Sequence, residues 1–274
     1  VLANGEVLLE RDGPVATLVI NRPERRNALS TDVLEGLRAG VAEVKEDGAA
    51  RVLVVTGAGD KAFCAGADLV GPSPVTGATR SGASGGAEVD SVAVHEARGQ
   101  LGQLIEDLWA LGKPTIARVR GYALAGGMGL ALACDLVVAA DDAMFGLPEI
   151  DIGIWPYVIT VPLLRSMPPK RALDLMMTGR RVSAEEGAAI GFVSRVVPVD
   201  GLDEAVRDLA ATLAGKPPTS MRRGRESFYN ALDMKAEEAL RYLHGLLSVA
   251  TASAEAAEGR AAFAERRAPN WSDD

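Results

Sequence analysis

Three stretches of this 274-residue sequence are rich in small residues where a backbone would have to approach a ligand: Ala65-Gly66-Ala67-Asp68, Ala125-Gly126-Gly127 and the run 146–153. Taken singly, each also reads as a tight turn or a close helix contact. The third contains Glu149, in the setting Met144-Phe145-Gly146-Leu147-Pro148-Glu149-Ile150-Asp151-Ile152-Gly153-Ile154-Trp155, which is mostly apolar. A carboxyl group desolvated there has a raised pKa, which suits proton transfer at neutral pH. An ion-paired loop glutamate is the plainer reading of the same residue. Asp151 is the neighbouring candidate, and two residues along an extended segment would turn it to the opposite side. Arg22, Arg25 and Arg26 cluster near the N-terminus and suit bidentate phosphate contacts, although each alone also reads as part of a solvated basic turn.

Composition narrows the chemistry. The net charge of −8 disfavours a nucleic-acid partner, because neutralising phosphates takes an excess of Lys and Arg on one face; the local arginine cluster still admits a small anionic ligand. Cys64 and Cys134 sit in apolar or small-residue stretches, so no disulfide framework is expected and a reducing, cytoplasmic compartment fits best. The most apolar stretch, 130–140, is interrupted by Asp135 and is too short to span a bilayer, so no membrane partner is expected. His95 and His244 belong to no metal-ligand spacing and accompany no G-x-S-x-G nucleophile motif, which argues against a zinc enzyme and a serine hydrolase. The stretch 57–62 superficially matches a dinucleotide fingerprint after a strand, but no acidic residue occurs at 75–80 to hold a ribose, so its glycines are read as a turn.

The elements that must position these residues follow from periodicity. Runs 6–10, 16–21, 51–56, 115–120 and 136–140 read as strands, and they alternate with helical patterns. Val33, Leu34, Leu37, Val41 and Val44 fall at helical spacing, with Ser30 or Asp32 as the cap and Asp47-Gly48 as the stop. Beyond Pro198 the pattern is wholly helical, with candidates at 202–214, 218–231, 234–250 and 253–266. The stretch 71–86 is rich in Gly, Ser, Pro and Thr and reads as a mobile loop, either covering substrate or idle. The fold class is therefore α/β followed by an all-α tail.

Four segments resemble, in order, signatures of the crotonase (enoyl-CoA hydratase/isomerase) family: Asn21-Arg22-Pro23 with Asn27-Ala28-Leu29, then 62–69, then Gly121-Tyr122-Ala123-Leu124-Ala125-Gly126-Gly127, then Phe145-Gly146-Leu147-Pro148-Glu149. Later landmarks at Thr178-Gly179-Arg180, 188–197 and Phe263-Ala264-Glu265-Arg266 extend the resemblance to the end of the chain. It implies a crotonase-like spiral of β-β-α units over 1–197, and a helical segment over 198–274 that builds trimers or hexamers. It further implies an acyl-CoA thioester as substrate, with coenzyme A as part of that substrate and no tightly bound cofactor. By motif match, the N–H groups of Ala67 and Gly126 form an oxyanion hole for the thioester oxygen, and Glu149 is the catalytic acid/base. Arg25 or Arg26 would lie near the CoA phosphates with Arg22 beside them, and Ala65, Gly66, Asp68 and Leu69 by the adenine and pantetheine. Phe263 and Arg266 would reach the CoA of a neighbouring subunit.

One position departs from the hydratase pattern. Two-carboxylate hydratases of the family carry a glutamate where this chain has Gly129. Moving a double bond needs only one carboxylate, which can take a proton from one carbon and return it two carbons away while the oxyanion hole holds the dienolate. Isomerisation by Glu149 alone is thus expected ahead of hydration, which would need another carboxylate, for instance from 88–107, or water held by Glu149. Gly129→Glu is expected to raise hydration relative to isomerisation by supplying the missing carboxylate, provided the helix tolerates the side chain, and helix propensity favours the change. A hydrolase or dehalogenase acting on acyl-CoA is the rival within the fold. A non-catalytic acyl-CoA-binding subunit is the rival from another class, disfavoured by the retained Glu149.

Overall fold

The chain opens with a hairpin of β1 (Val7–Asp12) and β2 (Val15–Ile20), and α1 (Thr31–Glu46) then leads into β3 (Val52–Gly57) and the short β4 (Ala62–Cys64). After α2 (Ser91–Trp109) the sequence of strand, short strand and helix recurs as β5 (Thr115–Val119), β6 (Tyr122–Leu124) and α3 (Gly126–Ala133). It recurs again as β7 (Leu136–Ala140) and β8 (Met144–Gly146), followed by a 3-10 turn (Pro148–Ile152), α4 (Thr160–Ser166) and α5 (Pro169–Thr178). Next come β9 (Arg181–Ser183), α6 (Ala184–Ile190) and β10 (Arg195–Val197), then α7 (Leu202–Ala214), α8 (Pro218–Leu232), α9 (Ala236–Thr251) and α10 (Ala254–Glu265). These elements belong to a computed structural model that describes residues 1–70 and 91–271. The loop expected at 71–86, and Glu88 and Asp90 of the 88–107 segment, lie outside the described residues.

Long strands build one sheet and short strands another. The six-stranded sheet runs β1-β2-β3-β5-β7-β10 and is parallel apart from β1, while the four-stranded sheet runs β4-β6-β8-β9 and is parallel apart from β9. After the opening hairpin, each unit from β3 to β8 adds one strand to each sheet before its helix, so the chain winds as a spiral.

Both faces of the larger sheet are covered, and strand periodicity decides which residue faces which layer. Leu53, Val55, Ala117, Val119, Val137 and Ala139 point into the main core with α1, α2 and α3, whereas Val52, Val54, Ile116, Val138 and Ala140 point to Leu202, Val206 and Leu209 of α7. The expected tail thus begins with a helix that adds no strand but seals the second face. Ser30 caps α1 by accepting from Val33 N–H at 3.1 Å, and Gly40 lets the β2 side chain of Leu18 pack directly on the helix backbone. Among the described residues no helix is long and apolar enough to cross a membrane.

The five expected strands lie within two residues of β1, β2, β3, β5 and β7. The strands β4, β6, β8, β9 and β10 were not foreseen, because three residues are too few to show a period of two.

Candidate active site

Two amides emerge where the two sheets meet. After β4, Leu29 pairs with Ala67 as an isolated parallel bridge: Leu29 N–H donates to Gly66 O at 2.8 Å and Asp68 N–H donates to Leu29 O at 3.0 Å. In such a bridge the N–H of the paired residue itself points away, and among the described residues that of Ala67 has no acceptor. After β6, Gly126 is the first residue of α3, so its N–H has no intrahelical acceptor either. Gly66, at φ +93°, brings the two segments together: a Cβ there would lie 2.6 Å from Ala125 Cβ and 3.6 Å from Gly126 N. Gly127 does the same on the other side, where a Cβ would come within 2.8 Å of the Cys64 carbonyl carbon. The turn into α3 is made by Ala125 at φ 52° and ψ −130°, a strained conformation for a residue with a side chain, held by its N–H to Gly146 O at 2.9 Å.

Ala67 and Gly126 open into a cleft of about 720 Å³, whose wall also carries Ala65, Leu69, Leu101 and Glu149. Glu149 sits in the 3-10 turn after β8, with Pro148 presetting its first residue and Gly153 in the left-handed conformation closing it. Burial pushes the Glu149 carboxyl up to about 7, against a smaller lowering by its own backbone N–H. Its Oε2 is buried and has no hydrogen-bond partner among the described residues. A carboxyl raised to about 7, in one cleft with these two amides, can move a proton next to a carbonyl whose oxygen the amides hold. The α3 dipole adds a partial positive charge at the same place.

The turn corrects one expectation. The run 148–152 curls instead of extending, so Asp151 is not turned to the opposite side; it lines the same cleft, solvent-exposed, and Trp155 lines it too. Of the other acids expected as alternatives, Glu96, Glu106 and Asp107 do not line the cleft, and Asp107 accepts from Arg38 Nε at 2.8 Å.

The arginine cluster divides. Arg22 is committed inside the protein: it donates to Ala28 O at 2.8 Å and pairs with Glu6 at 3.0 Å and with Asp68 at 3.1 Å. Asp68 is buried and also takes Arg25 at 2.7 Å, so Arg22 and Asp68 fix the amide-bearing loop instead of facing a ligand. Asn27 completes this brace, its Nδ2 donating to Ala58 O and Ala62 O at 2.9 and 2.7 Å. Arg26 is exposed and left-handed at the end of the 3-10 turn Pro23–Arg25, so it remains available to an anion. Phe263 and Arg266 are exposed at the end of α10 and do not line the cleft of their own chain.

Several lining residues had no signal in the sequence. Arg98 and Leu101 come from α2, and Tyr157, Val158 and Ile159 from the segment before α4. Ile159 matters most. It is buried, and a Cβ built on Gly129 would lie 2.7 Å from its Cβ and closer still to its Cγ2. Position 129 is therefore closed to any side chain while Ile159 stands opposite.

Known proteins are similar to this chain in sequence and fold. The chain is 36% identical to the probable enoyl-CoA hydratase echA8 of Mycobacterium tuberculosis, over 97% of each chain. It is 33% identical to the crotonyl-CoA hydratase of Syntrophomonas wolfei, over 98% of this chain and 99% of that one. A crystal structure of an enoyl-CoA hydratase from Bacillus anthracis superposes with a TM-score of 0.88 at 32% identity, covering 98% of this chain and 100% of the other. Residues 10–274 match the family model described as enoyl-CoA hydratase/isomerase, and with the spiral of two sheets this makes the chain a crotonase-fold member of the enoyl-CoA hydratase/isomerase family.

Proposed function

We propose that this enzyme shifts a double bond in an enoyl-CoA thioester, with Glu149 as the single acid/base and the N–H groups of Ala67 and Gly126 holding the enolate oxygen. The observation that carries this reading is the closure of position 129 by Ile159, which leaves Glu149 as the partly buried carboxylate of the cleft, with Asp151 exposed. Glu149 removes a proton from the carbon next to the thioester of a 3-enoyl-CoA. Charge moves to the thioester oxygen, where each preorganised donor is worth roughly 3 kcal/mol of barrier. The same carboxyl then returns the proton two carbons away, giving the 2-enoyl-CoA with no net change of atoms. A cleft wall of Leu101, Trp155, Tyr157 and Val158 suits a hydrocarbon acyl group. Arg26, with the exposed edge of Arg25, would meet the CoA phosphates, while Ala65 and Leu69 border the path of the pantetheine. Phe263 and Arg266 would serve the CoA of a neighbouring copy in a cytoplasmic trimer or hexamer, a reading supported by the exposed Phe228, Leu240 and Leu247 on α8 and α9.

Hydration of 2-enoyl-CoA is the second reading. It is favoured by Asp151 in the same cleft and by the hydratase names of the relatives. Following thioester absorbance on purified enzyme with 3-enoyl-CoA and 2-enoyl-CoA separates the two. Faster conversion of the 3-enoyl ester supports isomerisation. Rapid hydration without any double-bond migration overturns it.

A further inference from the structure

The helix that presents Gly126 is poorly equipped to hold itself in place. α3 has eight residues, three of them glycine, and a helix this short is not stable on its own. Its position is set by what grips its two ends. At the start it is held by Ala125 N–H on Gly146 O; at the far end, about 12 Å away at 1.5 Å per residue, the chain leaves through Asp135.

Asp135 is the hub of a dense polar cluster. Its carboxylate accepts from Thr115 N–H at 2.8 Å, Tyr229 Oη at 2.6 Å and Arg225 Nε at 2.7 and 2.9 Å, while its own N–H donates to Thr115 Oγ1 at 2.8 Å. Arg225 comes from α8 and is buried. Its two remaining nitrogens donate to the last carbonyls of α2, Leu108 O at 2.7 Å and Trp109 O at 2.5 Å. The Tyr229 ring stacks on Trp109 with centroids 5.8 Å apart, and Arg225 lies over the Tyr229 ring at 5.0 Å. One guanidinium from the C-terminal helices thus ties the exit of α3 to the exit of α2. The start of α3 in turn meets the middle of α2, where Leu101 would stand 3.2 Å from a Cβ on Gly126.

We infer that Arg225 is a positioning residue: by clamping Asp135 and the end of α2 it fixes α3, and through α3 the direction of the Gly126 N–H. A single guanidinium suits this task because its donors lie in one rigid plane and can satisfy a carboxylate and two carbonyls together. Displacements well under the length of α3 matter, since about 1 Å at the reacting centre lowers rate by roughly 100-fold. The inference rests on the reading of Gly126 as a thioester oxygen donor.

The test combines kinetics with the infrared carbonyl band of a bound, non-reacting CoA thioester labelled with 13C at its carbonyl. Donors aimed at the oxygen lower that band relative to free thioester, so the shift reports the hole directly. Arg225→Lys keeps charge but cannot span the three acceptors. We expect at least a 10-fold loss in kcat, less than a 3-fold change in KM, and a smaller band shift than wild type in the folded variant. If Arg225→Lys melts below the assay temperature, Tyr229→Phe, which removes one donor to Asp135, should show the same loss of band shift in weaker form. A wild-type band position and kcat in either folded variant overturns the inference. Gly126→Pro is the control for the underlying reading: if it leaves the band unshifted from wild type, Gly126 is not a donor and that reading fails, whatever Arg225 does.

Discussion

Gly129→Ala puts the closed position to a direct test. Helix propensity alone favours the change by about 1 kcal/mol, because glycine inside a helix is the poorer former. Against this stands Ile159, buried and 2.7 Å from the new Cβ, and overpacking of this kind costs about 1–3 kcal/mol. The net expectation is destabilisation by up to about 2 kcal/mol, a fall in melting midpoint of up to about 8 °C for a domain of this size. Ile159→Gly removes the opposing atoms and leaves only Ile159 Cα, at 3.7 Å, an ordinary contact. Alone it should cost about 2–5 kcal/mol as a cavity. In that background Gly129→Ala should become neutral or favourable, giving a coupling of about 1–3 kcal/mol in a double-mutant cycle read by urea denaturation. Equal effects of Gly129→Ala in both backgrounds would refute the steric argument. The same geometry revises the expected outcome of Gly129→Glu: by itself it should lose stability and gain no hydration, whereas together with Ile159→Gly it should raise hydration relative to isomerisation.

Glu149→Gln should abolish turnover while retaining CoA-ester binding, since the amide keeps shape but accepts no proton. Because burial raises the folded pKa of Glu149 to about 7, its carboxyl is most compatible with the fold below about pH 4.5, and stability is lost as pH rises through 7. Glu149→Gln should therefore melt higher than wild type at pH 8, by up to about 3 kcal/mol, and show no such gain at pH 4.5. A constant difference across that range would contradict burial as the cause. In wild type, kcat/KM should rise with pH around an inflection near 7 as the base ionises. Gly126→Pro should lower kcat by about 100- to 1000-fold in a folded protein, as proline is tolerated at the first helical position but has no N–H to donate; unchanged kcat would remove Gly126 from the oxyanion hole. Arg26→Ala should raise KM for CoA esters more than for pantetheine thioesters, while Arg22→Ala should mainly lower the melting midpoint, because it leaves the buried Asp68 with one cation fewer. Equal weakening of both thioesters by Arg26→Ala would exclude a phosphate contact.

The sequence by itself determined what repeats or is chemically marked. Val33, Leu34, Leu37, Val41 and Val44 set α1 through a period that survives in the buried face of the helix. The long strands were legible because most are runs of five or six positions rich in β-branched and apolar residues, and Glu149, Ala67 and Gly126 stood in recognisable motifs that the fold brings into one cleft. The tertiary structure alone decided what depends on who meets whom. Three-residue strands carry no period and exist only because a neighbouring strand supplies their hydrogen bonds. Arg22 and Arg25 look alike in the sequence, yet Arg22 is sunk into a brace around Asp68 while Arg25 keeps an exposed edge, a difference set by depth and not by type. Gly129 read as a vacant place for a carboxylate until Ile159, thirty residues onward, proved to occupy it. No local pattern links two such positions, because the contact is made by packing α3 against the residue that opens α4.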